Sequence, residues 1–171
     1  GSERCIRDRY PLKADEWKMM QSYGMTAVRL HPGGATTPGI PLFQQKMPRP
    51  PKSIKLEKSI EQNWMNSKRA HYEKLKKYWS RLATEENIRL YLTWNKYDGD
   101  HFAISEAMES TGGLIGVYQR AYETQHTPEN MVVADLVFGF SKNGAEKERL
   151  SHSKVSYHIA TGYLGDHRFP L

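Results

Sequence analysis

The sequence predicts a predominantly helical α+β domain, built on one long amphipathic helix with a small β-hairpin element and a proline- and glycine-rich arm. Three observations carry this prediction. From Ser53 onward, apolar residues recur at helical spacing through Leu82. IRLYLTW and HFAIS read as strands around NKYDGD, whose Asp-Gly pair is a hairpin turn signal. Between them and the N-terminal elements, His31 to Lys52 holds six prolines in 22 residues, which excludes regular structure there.

Taken in order, CIRDRYPLKADEWKMMQSYGM contains a short helix after Pro11, with Asp15 and Glu16 near its positive end and Gly24 as its stop. TAVRL follows as a strand, because β-branched and apolar residues stand ahead of a breaker. HPGGATTPGIPLFQQKMPRPPK is a loop or extended arm over residues 31–52. In the long helix, at 100° per residue from Ile60, the residues Leu56, Ile60, Trp64, Tyr72, Leu75, Tyr78, Trp79 and Leu82 fall between about −40° and 120°. Lys55, Lys58, Arg69, Lys74, Lys76, Lys77 and Arg81 fall on the opposite side, between about 160° and 320°. Lys68, at about 80°, falls with the apolar residues and must snorkel or mark a break.

The hairpin, Ile88 to Trp94 with His101 to Ser105, comes next. SEAMESTGGLIGVYQRAYETQ has helical spacing at its ends but three weakening glycines, so its state stays open. TPENMVVADLVFGFSKNG reads as a helix capped by Thr127, with Pro128 in its first turn and Asn143-Gly144 at its close; its β-branched content leaves strand as the alternative. AEKERLSHSKVSYHIATGYL reads as a final helix, and 166–171 as a tail. Gly1-Ser2 reads as an expression scar, leaving 3–171 as one domain.

Composition narrows the functional classes. The chain is 38% hydrophobic with four Trp, ten Tyr and five Phe, enough apolar surface to offset the entropy of folding. No apolar run approaches the roughly 20 residues of a membrane span. One cysteine, Cys5, excludes an internal disulfide and multi-thiolate zinc sites, and favours an intracellular setting, cytoplasmic or nuclear. Charge is regional: from Lys46 to Leu82 eleven basic residues face three acidic ones, a net of +8 in a chain whose total is +6.

Catalytic and metal motifs are weak throughout. The seven histidines form no HxH or HxxxH pair, and Asp98, Asp100 and His101 make a turn too poor in oxygen ligands for an EF-hand. HPGGATTPG lacks the GK[ST] ending of a phosphate loop, and no serine sits in a GxSxG elbow. ESTGGLIGVYQ resembles the catalytic-glutamate region of lytic transglycosylases, in which the acid and the glycine-leucine stretch stand further apart. HSKVSYHIATGYL resembles the HxxRH…AT box of tyrosine recombinases, with Val155 where that family places its phosphate-holding arginine. Neither likeness implies an activity. Glu106, Glu109 and Asp135 remain as acid or base groups without a constellation. No cofactor, metal or catalytic residue is assigned.

The basic helix face points instead to a polyanion. A row of ammonium and guanidinium groups neutralises successive phosphates and gains affinity by releasing counterions, with no base code. The sequence therefore predicts nucleic-acid backbone binding, RNA or single strands favoured, through Lys68, Arg69, Lys74, Lys76, Lys77 and Arg81, helped by Arg49 and Lys52. Helical angle turns Trp64, Tyr72, Tyr78 and Trp79 inward, away from bases, and leaves Tyr97 as a freer stacking candidate. The alternative is a protein-protein assembly domain that self-associates through an exchanged proline-rich arm. Third is an enzyme whose site is assembled only in the fold.

Overall fold

The computed structural model describes residues 4–7, 18, 21–24, 26–27, 46, 48–49, 59–94, 96, 99–119, 121 and 126–163. Its elements are β1 (Arg4–Arg7), β2 (Thr26–Ala27), α1 (Ile60–Glu85), β3 (Ile88–Thr93), α2 (Gly99–Ser110), β4 (Leu114–Tyr118), a 3-10 turn (Pro128–Asn130), β5 (Val133–Gly139), α3 (Lys142–Leu150) and β6 (Lys154–Ala160). The six strands form one sheet in the order β2-β1-β3-β4-β5-β6, and every pairing is parallel.

This corrects the expected fold class. The chain is α/β with a parallel sheet, and the hairpin does not exist. β3 pairs in parallel with β1 and β4, while His101 to Ser105 lie inside α2. Gly99 opens a helix rather than closing a two-residue turn, because His101, Ala103, Ile104, Ala107 and Met108 need one buried helical face. Glycine at 112–113 then ends α2, and LIGVY forms β4. The helix expected from Thr127 is a single 3-10 turn followed by β5, so the β-branched alternative wins. The final expected helix divides into α3 and β6 at Ser151–Ser153. The N-terminal helix stop holds: Gly24 has φ +74°, and its N–H donates to the Gln21 carbonyl at 2.9 Å. Nearly all of the proline-rich segment lies outside the described residues.

One face of the sheet carries the core. Tyr91, Ile115, Val117 and Val137 pack with Leu75, Tyr78, Trp79 and Leu82 of α1 and Ala103, Ile104, Ala107 and Met108 of α2. Burying a leucine of this kind is worth about 1.5–3 kcal/mol, and Leu82 is fully buried. Trp79 stands edge-on to Tyr91 with ring centroids 5.6 Å apart. On the opposite face, Leu90, Leu92 and Phe138 gather around Gly116 and are half-buried, while Leu114, Tyr157 and Ile159 are exposed. No helix among the described residues is long and apolar enough to cross a membrane.

Candidate functional site

The sequence places a polyanion grip on α1, and the helix sorts its side chains as the angles require. Leu75, Tyr78, Trp79 and Leu82 are buried, whereas Arg69, Lys74, Lys77 and Arg81 are exposed on the opposite face. Lys68 is exposed with its Nζ 5.7 Å from the Trp64 ring centroid, so its charge stays on the apolar line but lies over an aromatic face in a stretch of helix that is not buried. Arg49 is exposed; Lys52 and Tyr97 lie outside the described residues.

Ion pairing reduces this set. Arg81 Nε donates to Glu85 Oε1 one turn on. Lys76, half-buried, sits 3.2 Å from Glu106 Oε1 of α2 and 3.7 Å from Glu73 Oε2. Tyr72 Oη donates to Glu106 Oε2 at 2.8 Å, so Glu106 ties α1 to α2. These bonds, first from Tyr72 and then from Lys76, hold the Glu106 carboxyl below the usual carboxylate range. Burial, followed by the same carboxylate, pushes the Tyr72 phenol well above its ordinary value, and the Glu106 hydrogen bond raises the Lys76 ammonium. Glu106 is thus an interhelical anchor rather than a spare acid. Lys68, Arg69, Lys74 and Lys77 make no ion pair among the described residues.

Trp64 departs from the sequence expectation. It lies on the angular line of the core stripe yet is 48% exposed. None of residues 60–70 is buried, and burial begins at Leu75. At about 1.5 Å per residue the first eleven residues of α1 carry the stripe roughly 16 Å beyond the core. Ile60 and Met65 are exposed in the same stretch.

A second constellation arises only from the fold. Lys96, beyond the carboxyl end of β3, places Nζ 3.3 Å from Glu148 Oε1 on α3. Glu148 Oε2 faces His158 Nε2 of β6 at 3.6 Å, and all three side chains are at least 86% buried. His158 lies over Gly139, where a Cβ would come within 2.6 Å of Nε2. The imidazole therefore requires glycine at the end of β5. Gln119 braces the adjacent turn: its Oε1 accepts the Phe140 N–H at 2.7 Å and its Nε2 donates to the Ala121 carbonyl at 3.0 Å. Carboxyl ends of parallel strands are where open α/β sheets place ligands. A carboxylate facing one ring nitrogen orients the imidazole for proton transfer at the other.

Sequence reasoning did not find this group. Lys96 and Glu148 are 52 residues apart, and no local spacing marks them. Of the other acid-base candidates, Asp135 Oδ2 accepts the Ile115 N–H at 2.8 Å and so closes the β4–β5 ladder. His101, expected at an exposed turn, is buried in α2, and its Nε2 accepts the Val133 N–H at 3.2 Å. No known family, curated protein or solved structure matches the chain.

Proposed function

We propose that the protein binds the phosphate backbone of nucleic acid, with the outer face of α1 as the contact surface. One observation supports this most directly: Arg69, Lys74 and Lys77 are exposed opposite a buried apolar stripe, Lys68 is exposed beyond the end of that stripe, and none of the four makes an ion pair among the described residues. Four such cations in three helical turns match a run of phosphates, and Arg49 adds a fifth exposed cation. The face carries no base-reading geometry, so affinity follows charge and salt rather than sequence. Fluorescence anisotropy with a labelled oligouridylate at low ionic strength tests the reading. Lys74→Glu with Lys77→Glu weakens binding while leaving the unfolding temperature unchanged; unchanged affinity refutes it.

A second reading rests on Lys96, Glu148 and His158. Their burial at the carboxyl side of the sheet supports an acid-base site for a small ligand. Diethyl pyrocarbonate modification, mapped by peptide mass, tests it: if Glu148 orients the His158 ring, Glu148→Gln changes the rate at which His158 reacts and leaves the rates of the exposed His126 and His152 unchanged. A His158 rate that Glu148→Gln leaves unchanged makes the group a structural ion cluster.

A further inference from the structure

The projecting start of α1 carries an exposed apolar patch bracketed by opposite charges, and such a surface is its own complement. We infer that the stretch from Ile60 to Arg69 pairs antiparallel with the same stretch of a second copy of the chain, forming a weak symmetric dimer. Ile60, Trp64 and Met65 are 56%, 48% and 56% exposed, on a length of helix with no buried residue, so the core of their own chain does not explain them. At 100° per residue from Ile60, Trp64 and Met65 fall at about 40° and 140°, and Glu61 and Lys68 fall between them at about 100° and 80°. Both charged residues are exposed, and neither makes an ion pair among the described residues. They stand two turns, about 10.5 Å, apart along the axis, too far to pair within one chain.

Charge selects both the occupant and its direction. A two-fold axis between Trp64 and Met65 sets Glu61 of each copy level with the partner's Lys68, because the two positions are equally far from that axis. Trp64 then meets the partner's Trp64 on one side of the seam, and Met65 meets the partner's Met65 on the other. A parallel pair would set carboxylate against carboxylate and ammonium against ammonium, which is repulsive at both ends. Among the described residues the overlap holds none that is buried, and burial begins only at Leu75, six residues past Arg69 or about 9 Å along the axis. Lys74 and Lys77 point away from the seam, so pairing and phosphate binding use different faces. Three apolar side chains per copy make a small interface, so its dissociation constant is on the order of 100 µM. In more dilute solution the chain is monomeric and Lys68 is open to phosphate.

Sedimentation equilibrium of the full chain, loaded from about 5 to 500 µM to bracket that constant, should show monomer giving way to dimer. Trp64→Ala, which removes the aromatic centre from both copies, should weaken the dimer at least about tenfold. Glu61→Lys gives a copy with two cations on its seam, and Lys68→Glu gives one with two carboxylates. Each alone should dimerise about tenfold more weakly than wild type, because both attractive pairs become repulsive. Mixed one to one, the two variants should pair at about wild-type strength, since every cation again faces a carboxylate. Circular dichroism checks folding, and all three positions are exposed and outside the buried core. A wild-type chain that stays monomeric over the whole range overturns the inference. So does a dimer that Trp64→Ala or the two charge variants leave intact, which would lie elsewhere on the molecule. Loss of the dimer in both charge variants with no recovery on mixing also overturns it, because antiparallel pairing requires that recovery. None of these outcomes alters the phosphate-binding reading, which anisotropy on dilute protein measures separately.

Discussion

Lys96→Met should destabilise the fold far more than a surface lysine loss, because among the described residues it leaves only His158 facing the buried Glu148 carboxylate. The Lys96 and Glu148 side chains are 5% and 10% exposed and their charges are 3.3 Å apart. At an effective dielectric near 20, a pair at this distance attracts by about 5 kcal/mol, against which each ion has lost its water. Removing one partner forfeits the attraction and keeps the other's desolvation, so Lys96→Met or Glu148→Met each cost about 3–5 kcal/mol. Replacing both together removes both desolvation penalties, so the double variant should lose about as much as one single variant or less. Urea unfolding of the four proteins, followed by circular dichroism, measures the coupling. With a slope of about 2 kcal/mol per molar urea, each single variant shifts the midpoint by about 1.5 M or more. Losses that add within about 0.5 kcal/mol would show that the two groups act independently, and would refute the reasoning.

Gly139 and Gly144 should respond in opposite senses to alanine. At Gly139 the new methyl collides with the His158 ring, so Gly139→Ala costs about 2 kcal/mol or more in urea unfolding. At Gly144 the nearest atom is Gln119 Oε1 at 3.4 Å, and the gain in helix propensity offsets the contact, leaving a change between zero and about 1 kcal/mol of stabilisation. Glu106→Gln should reveal an acid-dependent loss. A carboxyl held below its ordinary value of 4.5 contributes above that pH and loses its contribution as pH falls through the folded-state value. Because Glu106 is about half exposed, the wild-type advantage is at most about 1 kcal/mol near neutrality. Thermal unfolding should show that advantage disappear at strongly acid pH; a difference that persists there would contradict the assignment.

The inward and outward faces of α1 were legible from sequence because 3.6-residue periodicity acts wherever a helix packs on one side. How far along the helix the packing extends was not. Trp64 has the right angle for burial, but the sheet beneath is only five to seven residues long in β3 through β6, and the stripe outruns it. The hairpin was misread because five residues, HFAIS, cannot separate strand from helix; the longer spacing from Ala103 to Met108 carries the helical period. Parallel pairing itself leaves no turn signature, since its crossovers are whole helices. The Lys96, Glu148 and His158 group was invisible for the same reason: the segment after β3, helix α3 and strand β6 bring it together.

The claim that α1 binds phosphates by charge is tested most directly by the salt dependence of single-strand affinity. Four cations, Lys68, Arg69, Lys74 and Lys77, predict a slope of log affinity against log salt of about −3, or a roughly 50-fold loss between about 50 and 200 mM. Lys74→Glu with Lys77→Glu should bring the slope to about −1.4 or shallower. A slope near zero, or no binding by the folded protein at low ionic strength, would contradict the account.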